Sequence, residues 1–258
     1  MEAMEQIRVA LRQQFLSDRL LGVTSVPVSM PPRRLATGGP RIAPRAVDTK
    51  ANAERLRVLD ETQVKGCRKC GLCETRTQTV FGQGNPAARL VFVGEAPGFE
   101  EDKQGLAFVG AAGQLLTRMI VAMGLSREEV FICNVLKCRP PGNRDPHADE
   151  ILACSAYLRE QLSVIQPELI VALGAPAAKT LLNTTLSIGK LRGQFHEFYL
   201  SGVTGDGPSI PVLPTYHPAY LLRSPEEKGK AWADLQMAMA RLGLTPPQRN
   251  PGASSGNA

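Results

Sequence analysis

The sequence predicts an α/β fold, in which a parallel sheet is covered by helices on both of its faces. Short apolar runs rich in valine, leucine and isoleucine alternate along the chain with longer segments of helical periodicity. Strands that are separated by helices join through βαβ crossovers, and these crossovers place helices on both faces of the sheet. The strand candidates are residues 89–94, 130–136, 169–173 and 210–215, and the helix candidates are residues 111–123, 149–165, 175–182 and 225–242.

The two ends of the chain lie outside this alternating pattern. Apolar residues spaced four apart predict an amphipathic helix over residues 2–22. Residues 25–48 are rich in proline, arginine and glycine and have no period, which is typical of a linker or a disordered arm. We therefore expect three parts, which are an N-terminal extension at 1–60, a folded domain at 61–243 and a disordered tail at 244–258.

The composition limits the class of protein. The 258 residues suffice for one core, and no apolar run approaches the roughly 18 residues of a membrane span. The first residues lack the features of a secretory signal, so we expect a cytoplasmic protein, and we expect it to be a monomer. The formal net charge is +6, but residues 1–60 alone hold 10 basic and 6 acidic side chains. Charge therefore argues only weakly for a nucleic-acid partner.

Glycine and polar side chains follow the predicted strands at the edge where parallel sheets bind their ligands. The first strand ends in the turn GEAPG at residues 94–98, which is followed by three acids at 100–102. The second strand carries Asn134, and His217 comes directly after the fourth. Because the carboxyl ends of parallel strands meet at one edge, we expect this turn, Asn134 and His217 to form one site.

The six cysteines indicate a metal centre. In a chain without a secretory signal they are more typical of metal ligands or reduced thiols than of disulfides. The spacing C-x2-C-x2-C is formed by Cys67, Cys70 and Cys73. The fourth cysteine of the ferredoxin pattern is missing, so Cys138 and Cys154 are the candidates that complete a set of four, whereas Cys133 lies in an apolar run. Such a set holds zinc or an iron–sulfur cluster, and spacing alone does not separate the two.

Four motifs, taken in this order, resemble those of the family 4 uracil-DNA glycosylases, which are monofunctional base-excision repair enzymes. They are the C-x2-C pair at 67–70, GEAPG at 94–98, NVLKCRPPGNR at 134–144 and HPAYLLR at 217–223. The resemblance covers residues 64–242. It implies a three-layer α/β/α sandwich on a four-stranded parallel sheet. It also implies uracil-containing DNA, single- or double-stranded, as the substrate, and hydrolysis of the N-glycosidic bond to leave an abasic site.

The same resemblance implies a [4Fe-4S] cluster. The four cysteines that bind it in the family correspond to Cys67, Cys70, Cys138 and Cys154 of this chain, and Cys73 is then surplus. We expect the cluster to shape a loop that binds DNA and to do no redox chemistry.

Five residues are the candidates for binding a uracil that has rotated out of the DNA stack. Phe108 is the candidate stacking surface, and the amide of Asn134 can pair with uracil N3–H and O4. His217 can donate to O2 as negative charge develops on the leaving base. Backbone amides around Glu95 and Ala96 can hold the base from the other side, since their glycine neighbours permit close approach.

The remaining candidates act on the sugar and on the DNA backbone. Glu95 first, and Glu101 second, are the carboxylates that could stabilise the sugar cation or orient the attacking water. Leu221 and Leu222 resemble the family's minor-groove wedge. The candidates for binding phosphate are Arg223, Lys137, Arg139 and Arg144.

Three alternatives remain. One is a non-catalytic nucleic-acid-binding module that carries a metal cluster. A second is a relative that traps uracil-DNA covalently through a histidine in a basic insertion, but the segment around His147 has no such insertion. The third, an electron-transfer protein, is disfavoured by the incomplete ferredoxin spacing.

Overall fold

The computed structural model describes residues 48–203 and 205–245. Within them the helices are α1 (Thr49–Leu59), α2 (Phe99–Gln104), α3 (Ala111–Ala122), α4 (Ala148–Ile165), α5 (Ala175–Leu182), α6 (Ile188–Leu191), α7 (Pro218–Arg223) and α8 (Lys228–Leu242). The strands are β1 (Gln83–Gly84), β2 (Leu90–Gly94), β3 (Phe131–Asn134), β4 (Leu169–Leu173), β5 (His196–Tyr199) and β6 (Ser209–Thr215). The predicted α/β class is confirmed.

The strands of the described part form one mixed sheet of six, in the order β1-β3-β2-β4-β6-β5. Its four central strands are mutually parallel and correspond to the four predicted strands. The prediction of a four-stranded sheet was wrong, because β1 and β5 add an antiparallel edge on each side. Both edge strands are too short to show a period in the sequence, and β1 has only 2 residues.

Strand β3 is shorter than predicted for a physical reason. Its ladder ends at Asn134, which is paired with Gly94. The next two amides leave the ladder, since Val135 N–H donates to the carbonyl of Gly94 at 2.9 Å and Leu136 N–H donates to that of Glu95 at 3.0 Å. These two bonds attach the segment after β3 to the turn after β2.

Side chains of alternate residues pack on opposite faces of the sheet. On one face Val91 and Val93 lie in a core built with α1, α4 and α5. On the other face Leu90 and Phe92 lie in a second core, built with α3 and α8. The sheet is therefore a central layer between two layers of helices, and its parallel strands are apolar throughout because both faces are buried.

The folded part begins earlier than the predicted boundary at residue 61. Asp48 caps α1 by accepting from the amides of Lys50 and Ala51, and Leu56 and Leu59 of that helix are buried in the core. The extension predicted for 1–60 thus overlaps a helix of the folded part. The helix predicted at 2–22 lies outside the described residues, as does the tail from residue 246 onward.

Two truncations are expected to differ in stability. Removing residues 1–47 is expected to change the free energy of unfolding little, because residues 25–48 are rich in proline, arginine and glycine and have no apolar period. Removing residues 1–60 should lower it by about 3 kcal/mol or more, since two buried leucines are lost. Urea denaturation of both proteins measures this difference, and equal midpoints would show that α1 adds nothing to the core.

No helix in the described residues is long and apolar enough to cross a membrane.

Candidate active site

The candidate site lies where β2, β3 and β6 end at one edge of the sheet. Gly94 ends β2, and the side chains of two predicted site residues, Asn134 and Phe108, lie against it. A Cβ atom at Gly94 would be 2.3 Å from Asn134 Oδ1 and 2.5 Å from Phe108 Cζ. Only glycine lets the amide and the ring approach the strand end this closely, so the structure brings Asn134 and Phe108 together as predicted.

Asn134 carries a buried acceptor without a partner. Its side chain is 1% exposed, and Oδ1 has no hydrogen-bond partner among the described residues. Leaving a buried polar atom unpaired costs about 1–3 kcal/mol, and native structures rarely accept that cost without a functional reason. This oxygen is therefore available to accept from an N–H donor of a ligand.

Phe108 is held in a conformation that is rare for a residue with a side chain. Its φ angle is +55°, in the left-handed region, and its ring lies 5.7 Å from the imidazole of His217 at an angle of 34°. The preceding carbonyl, of Ala107, accepts from Gln83 Nε2 at 3.2 Å and from Arg127 Nη2 at 2.8 Å. The surrounding structure therefore holds the ring in place against local backbone preference.

The contacts of Glu101 indicate a different role from the one predicted for it. Its Oε1 accepts from the amides of Val109 at 2.8 Å and Gly110 at 2.9 Å, and its Oε2 accepts from Gly98 N–H at 3.1 Å. With both oxygens already bonded to the backbone, this carboxylate is poorly suited to activate water. It joins the GEAPG turn to the loop of Phe108, so we assign it to positioning and not to the chemistry.

Glu95 is the remaining carboxylate of the turn, and it is half-buried. Burial, together with repulsion from Asp145, raises the pKa of Glu95 to about 7. A carboxyl group with such a pKa changes its charge near neutral pH, which is typical of an acid or base in a catalytic site. Ala96 follows it in the same turn and is also half-buried.

His217 is fixed at the start of α7. Its Nδ1 accepts from the amide of Ala219 at 3.1 Å, which leaves the proton of the neutral ring on Nε2. Burial lowers the pKa of His217 to about 4, and the cation of Arg223 adds to this while Glu101 opposes it. The imidazole is thus a neutral hydrogen-bond donor at physiological pH.

Two of the residues predicted to contact DNA are buried. Leu221 is 1% exposed and packs against Leu115 and Ala231, so it is not free to enter a base stack. Lys137 is also 1% exposed, and its Nζ donates to the carbonyl of Asn134 at 2.7 Å and to Gln161 Oε1 at 2.6 Å. These two predictions were wrong, because neighbouring positions in a motif can point to opposite sides of the backbone.

The other residues predicted to contact DNA reach the surface. Leu222 is 40% exposed, and Arg223 beside it is exposed. Arg139 is half-buried, donates to Asn143 Oδ1 at 2.7 Å and lies over the exposed ring of Phe99 at 5.1 Å. Arg144 is bonded to Glu150 through both of its terminal nitrogens, so part of its hydrogen-bonding capacity is already used.

Four cysteines line a partly open cavity on the side of the sheet that carries α4. They are the four predicted ligands, Cys67, Cys70, Cys138 and Cys154. Cys73 is not among the residues that line the cavity, and none of the six cysteines forms a disulfide. No three of the His, Cys, Asp and Glu side chains in the described residues are grouped so as to hold a single metal ion.

The sulfur atoms of this cavity already accept hydrogen bonds from the protein. Arg76 Nη1 donates to Cys138 Sγ, Tyr157 Oη to Cys67 Sγ and Lys137 N–H to Cys154 Sγ, each at 3.2 Å. Burial raises the pKa of Cys138 to about 11, so a bound cation is needed to ionise it at neutral pH. Four thiols around a cavity, with donors directed at the sulfurs, suit a cluster that is larger than one ion.

Comparison with known proteins shows the family of this chain. The family model of the uracil DNA glycosylase superfamily matches residues 81–236. A type-4 uracil-DNA glycosylase of Saccharolobus solfataricus is 49% identical over 63% of this chain and 76% of its own length. Those of Sulfurisphaera tokodaii and Archaeoglobus fulgidus are 46% and 45% identical, over 71% and 67% of this chain and 83% and 87% of their own lengths. The chain therefore belongs to the type-4 group of the uracil DNA glycosylase superfamily.

Sequence reasoning did not find the residues that support the site from a distance. Gln83 and Arg127 bond to Ala107, 24 and 20 residues away in the chain. Arg192 and Asp234 meet across 42 residues. No local pattern marks such pairs, because each member is an ordinary polar residue until the fold brings its partner to it.

Proposed function

We propose that the protein is a monofunctional uracil-DNA glycosylase, which hydrolyses the N-glycosidic bond of uracil in DNA and leaves an abasic site for base-excision repair. The observation that carries this proposal is the unpaired, buried Oδ1 of Asn134, next to the ring of Phe108 at the end of β2. Its similarity to type-4 uracil-DNA glycosylases supports it.

Uracil fits this arrangement of groups. Its N3–H is the donor that Asn134 Oδ1 lacks, and its O4 can accept from the amide nitrogen of the same side chain. The flat base can stack on Phe108. Cytosine offers an acceptor at N3 and an amine at N4, so in this orientation of the amide both contacts would be repulsive.

The departing base is stabilised by a neutral donor. As the N-glycosidic bond lengthens, negative charge develops on N1 and O2 of uracil, and Nε2–H of His217 donates to O2. Positive charge develops on the sugar at the same time. Ionised Glu95 stabilises that charge or orients the attacking water, and the backbone amides at Glu95 and Ala96 hold the base.

The DNA is held by the exposed part of the motif at 217–223. Leu222 is the residue that can enter the gap left by the flipped nucleotide, since Leu221 is buried. Arg223 and Arg139 can contact phosphates on either side of it.

We propose a [4Fe-4S] cluster for the cavity lined by Cys67, Cys70, Cys138 and Cys154. When bound, such a cluster supplies a rigid cross-link between the segment at 67–70, the segment after β3 and helix α4. The chain's own contribution is to hold Arg139 at the surface, one residue after a ligand.

The purified protein is expected to be brown and to absorb near roughly 400 nm. Cys138→Ala should lose this absorbance and much of the solubility, because the cavity would lack one thiol. The matched control is Cys73→Ala, which should keep the colour, since Cys73 does not line the cavity. A colourless protein that binds only zinc after anaerobic purification would disprove the cluster, and loss of colour in the control instead would mean that Cys73 is a ligand.

Glu95→Gln is expected to separate activity from stability. The pKa of Glu95 is raised in the folded state, from its ordinary 4.5 to about 7, so this group lowers stability as pH rises between these values. Excision needs the ionised form and should rise over the upper part of the same range. The variant should lose excision by about 10²-fold, yet gain stability relative to wild type at pH 8 and not at pH 4. Urea denaturation and excision rates at several pH values measure both effects, and a wild-type rate without an inflection near pH 7 would contradict them.

The function itself is tested with one labelled oligonucleotide that carries uracil and a matched one that carries thymine. Incubation followed by alkaline cleavage should cut only the uracil strand, and no cut should appear without alkali. A protein that binds both strands and cuts neither would be a non-catalytic module. A protein–DNA adduct that survives denaturing electrophoresis would instead indicate the covalent alternative.

A further inference from the structure

The two residues that precede His217 in the chain both contact one largely buried ion pair. Asp234 of α8 is 1% exposed and pairs with Arg192, which follows α6. Arg192 Nε donates to Asp234 Oδ2 at 3.0 Å, and Nη2 donates to Oδ1 at 2.8 Å. This two-pronged contact fixes the orientation of both groups, and not only their distance.

The ion pair reaches the end of β6 through a hydroxyl group. Thr215 is the last residue of β6 and is fully buried, and its Oγ1 donates to Asp234 Oδ2 at 2.7 Å. The guanidinium of Arg192 also lies 5.3 Å from the ring centre of Tyr216. Thr215 and Tyr216 are thus bound to the same pair, and His217 comes next.

The backbone on the other side of His217 leaves little freedom. Gly174 follows β4 with φ of +89°, and a Cβ atom there would be 2.9 Å from Cβ of His217. Gly174 N–H donates to the carbonyl of Thr215 at 2.9 Å. Apart from the bond between Nδ1 and Ala219 N–H and the contact with the ring of Phe108, the placement of the imidazole depends on the backbone at 215–217.

We propose that the Arg192–Asp234 ion pair positions His217 for the excision reaction, acting through Thr215 and Tyr216. A buried ion pair gives little net stability compared with apolar residues of the same size, so stability alone does not account for it. An oxyanion donor, in contrast, must be held within about 0.5 Å of its working position. The positioning of His217 is argued from the structure alone. The proposal rests on the proposed function only because it names uracil excision as the reaction that needs this position.

Thr215→Val tests the proposal with the smallest change, because it keeps the shape of the side chain and removes the hydroxyl. The single-turnover excision rate should fall roughly tenfold, since a misplaced group costs rate more than binding. DNA affinity should stay within about twofold, because phosphate contacts dominate it. Thr215→Ser keeps the hydroxyl and should restore the rate. Arg192→Lys keeps the charge and loses the two-pronged contact, so it should show the same defect even if Thr215→Val does not fold.

NMR of the imidazole ¹⁵N nuclei measures the state of His217 without depending on activity. The chain has 3 histidines, so their ¹⁵N signals can be assigned with single variants. Thr215→Val should move the His217 signals away from the pure Nε2–H tautomer and leave those of His147 unchanged. Arg89→Met is the matched control, because it removes another bond to α8, from Arg89 to the carbonyl of Leu242, and should leave His217 unchanged.

The outcomes are distinct. Unchanged His217 signals and an unchanged rate in both Thr215→Val and Arg192→Lys would overturn the proposal. Altered His217 signals in Thr215→Val, together with a wild-type protein that excises no uracil, would support the positioning role and refute the proposed function. Equal losses in these variants and in Arg89→Met would show that the pair serves stability alone.

Discussion

Asn134→Asp is expected to lower uracil excision by at least about 10³-fold, because a site built to hydrogen-bond its substrate rejects a mismatch strongly. An ionised aspartate only accepts, and one of its oxygens would face uracil O4, which is also an acceptor. The side chain is 1% exposed, so water cannot relieve the conflict. Single-turnover excision on a uracil oligonucleotide measures the loss.

The control for this variant is Asn183→Asp, which makes the same chemical change at an exposed helix end. It should excise uracil at the wild-type rate. If Asn134→Asp kept even a tenth of that rate with the fold intact, the amide of Asn134 would not be what recognises uracil.

His217→Ala is expected to lower the excision rate by roughly 10²–10³, the range for losing one donor to a developing oxyanion. The pKa of His217 is about 4, so its neutral form should serve from pH 5 upward without an inflection of its own. DNA affinity should change little. Single-turnover and binding assays on the same protein separate the two effects.

His147→Ala is the matched control for this variant, since the side chain of His147 is 62% exposed. It should behave as wild type. If His217→Ala excised uracil at the wild-type rate, the motif at 217–223 would have no role in the chemistry, and Glu95 would be the main catalytic group. A defect in His147→Ala would instead favour a role for that histidine.

The central strands and the edge that holds the site could be predicted because they depend on local pattern. Apolar runs mark β2, β3, β4 and β6, and topology alone then places their carboxyl ends together. Helix α7 could also have been predicted, since Pro218 occupies its first position, where proline favours a helix. The two-residue strand β1 could not, because it exists only through its pairing with β3.

The direction of individual side chains was harder to predict than their position in a motif. Lys137 and Arg139 both lie near Cys138, yet Lys137 is buried and Arg139 reaches the surface. Leu221 and Leu222 differ in the same way. Which neighbour points inward depends on where the chain leaves β3 and where α7 begins, and these points are set by long-range hydrogen bonds.

The role of Glu101 shows the same limit. A carboxylate near a glycine-rich turn is equally consistent with catalysis and with binding backbone amides. Its three amide partners come from the turn itself and from the loop at 109–110. The sequence cannot show that this loop folds back onto the turn.

The most direct measurement is a crystal structure of the protein with uracil and DNA that carries an abasic site. The account predicts uracil stacked on Phe108, with N3–H bonded to Asn134 Oδ1 and O2 facing His217 Nε2. Uracil bound elsewhere, with Asn134 Oδ1 still unpaired, would contradict it.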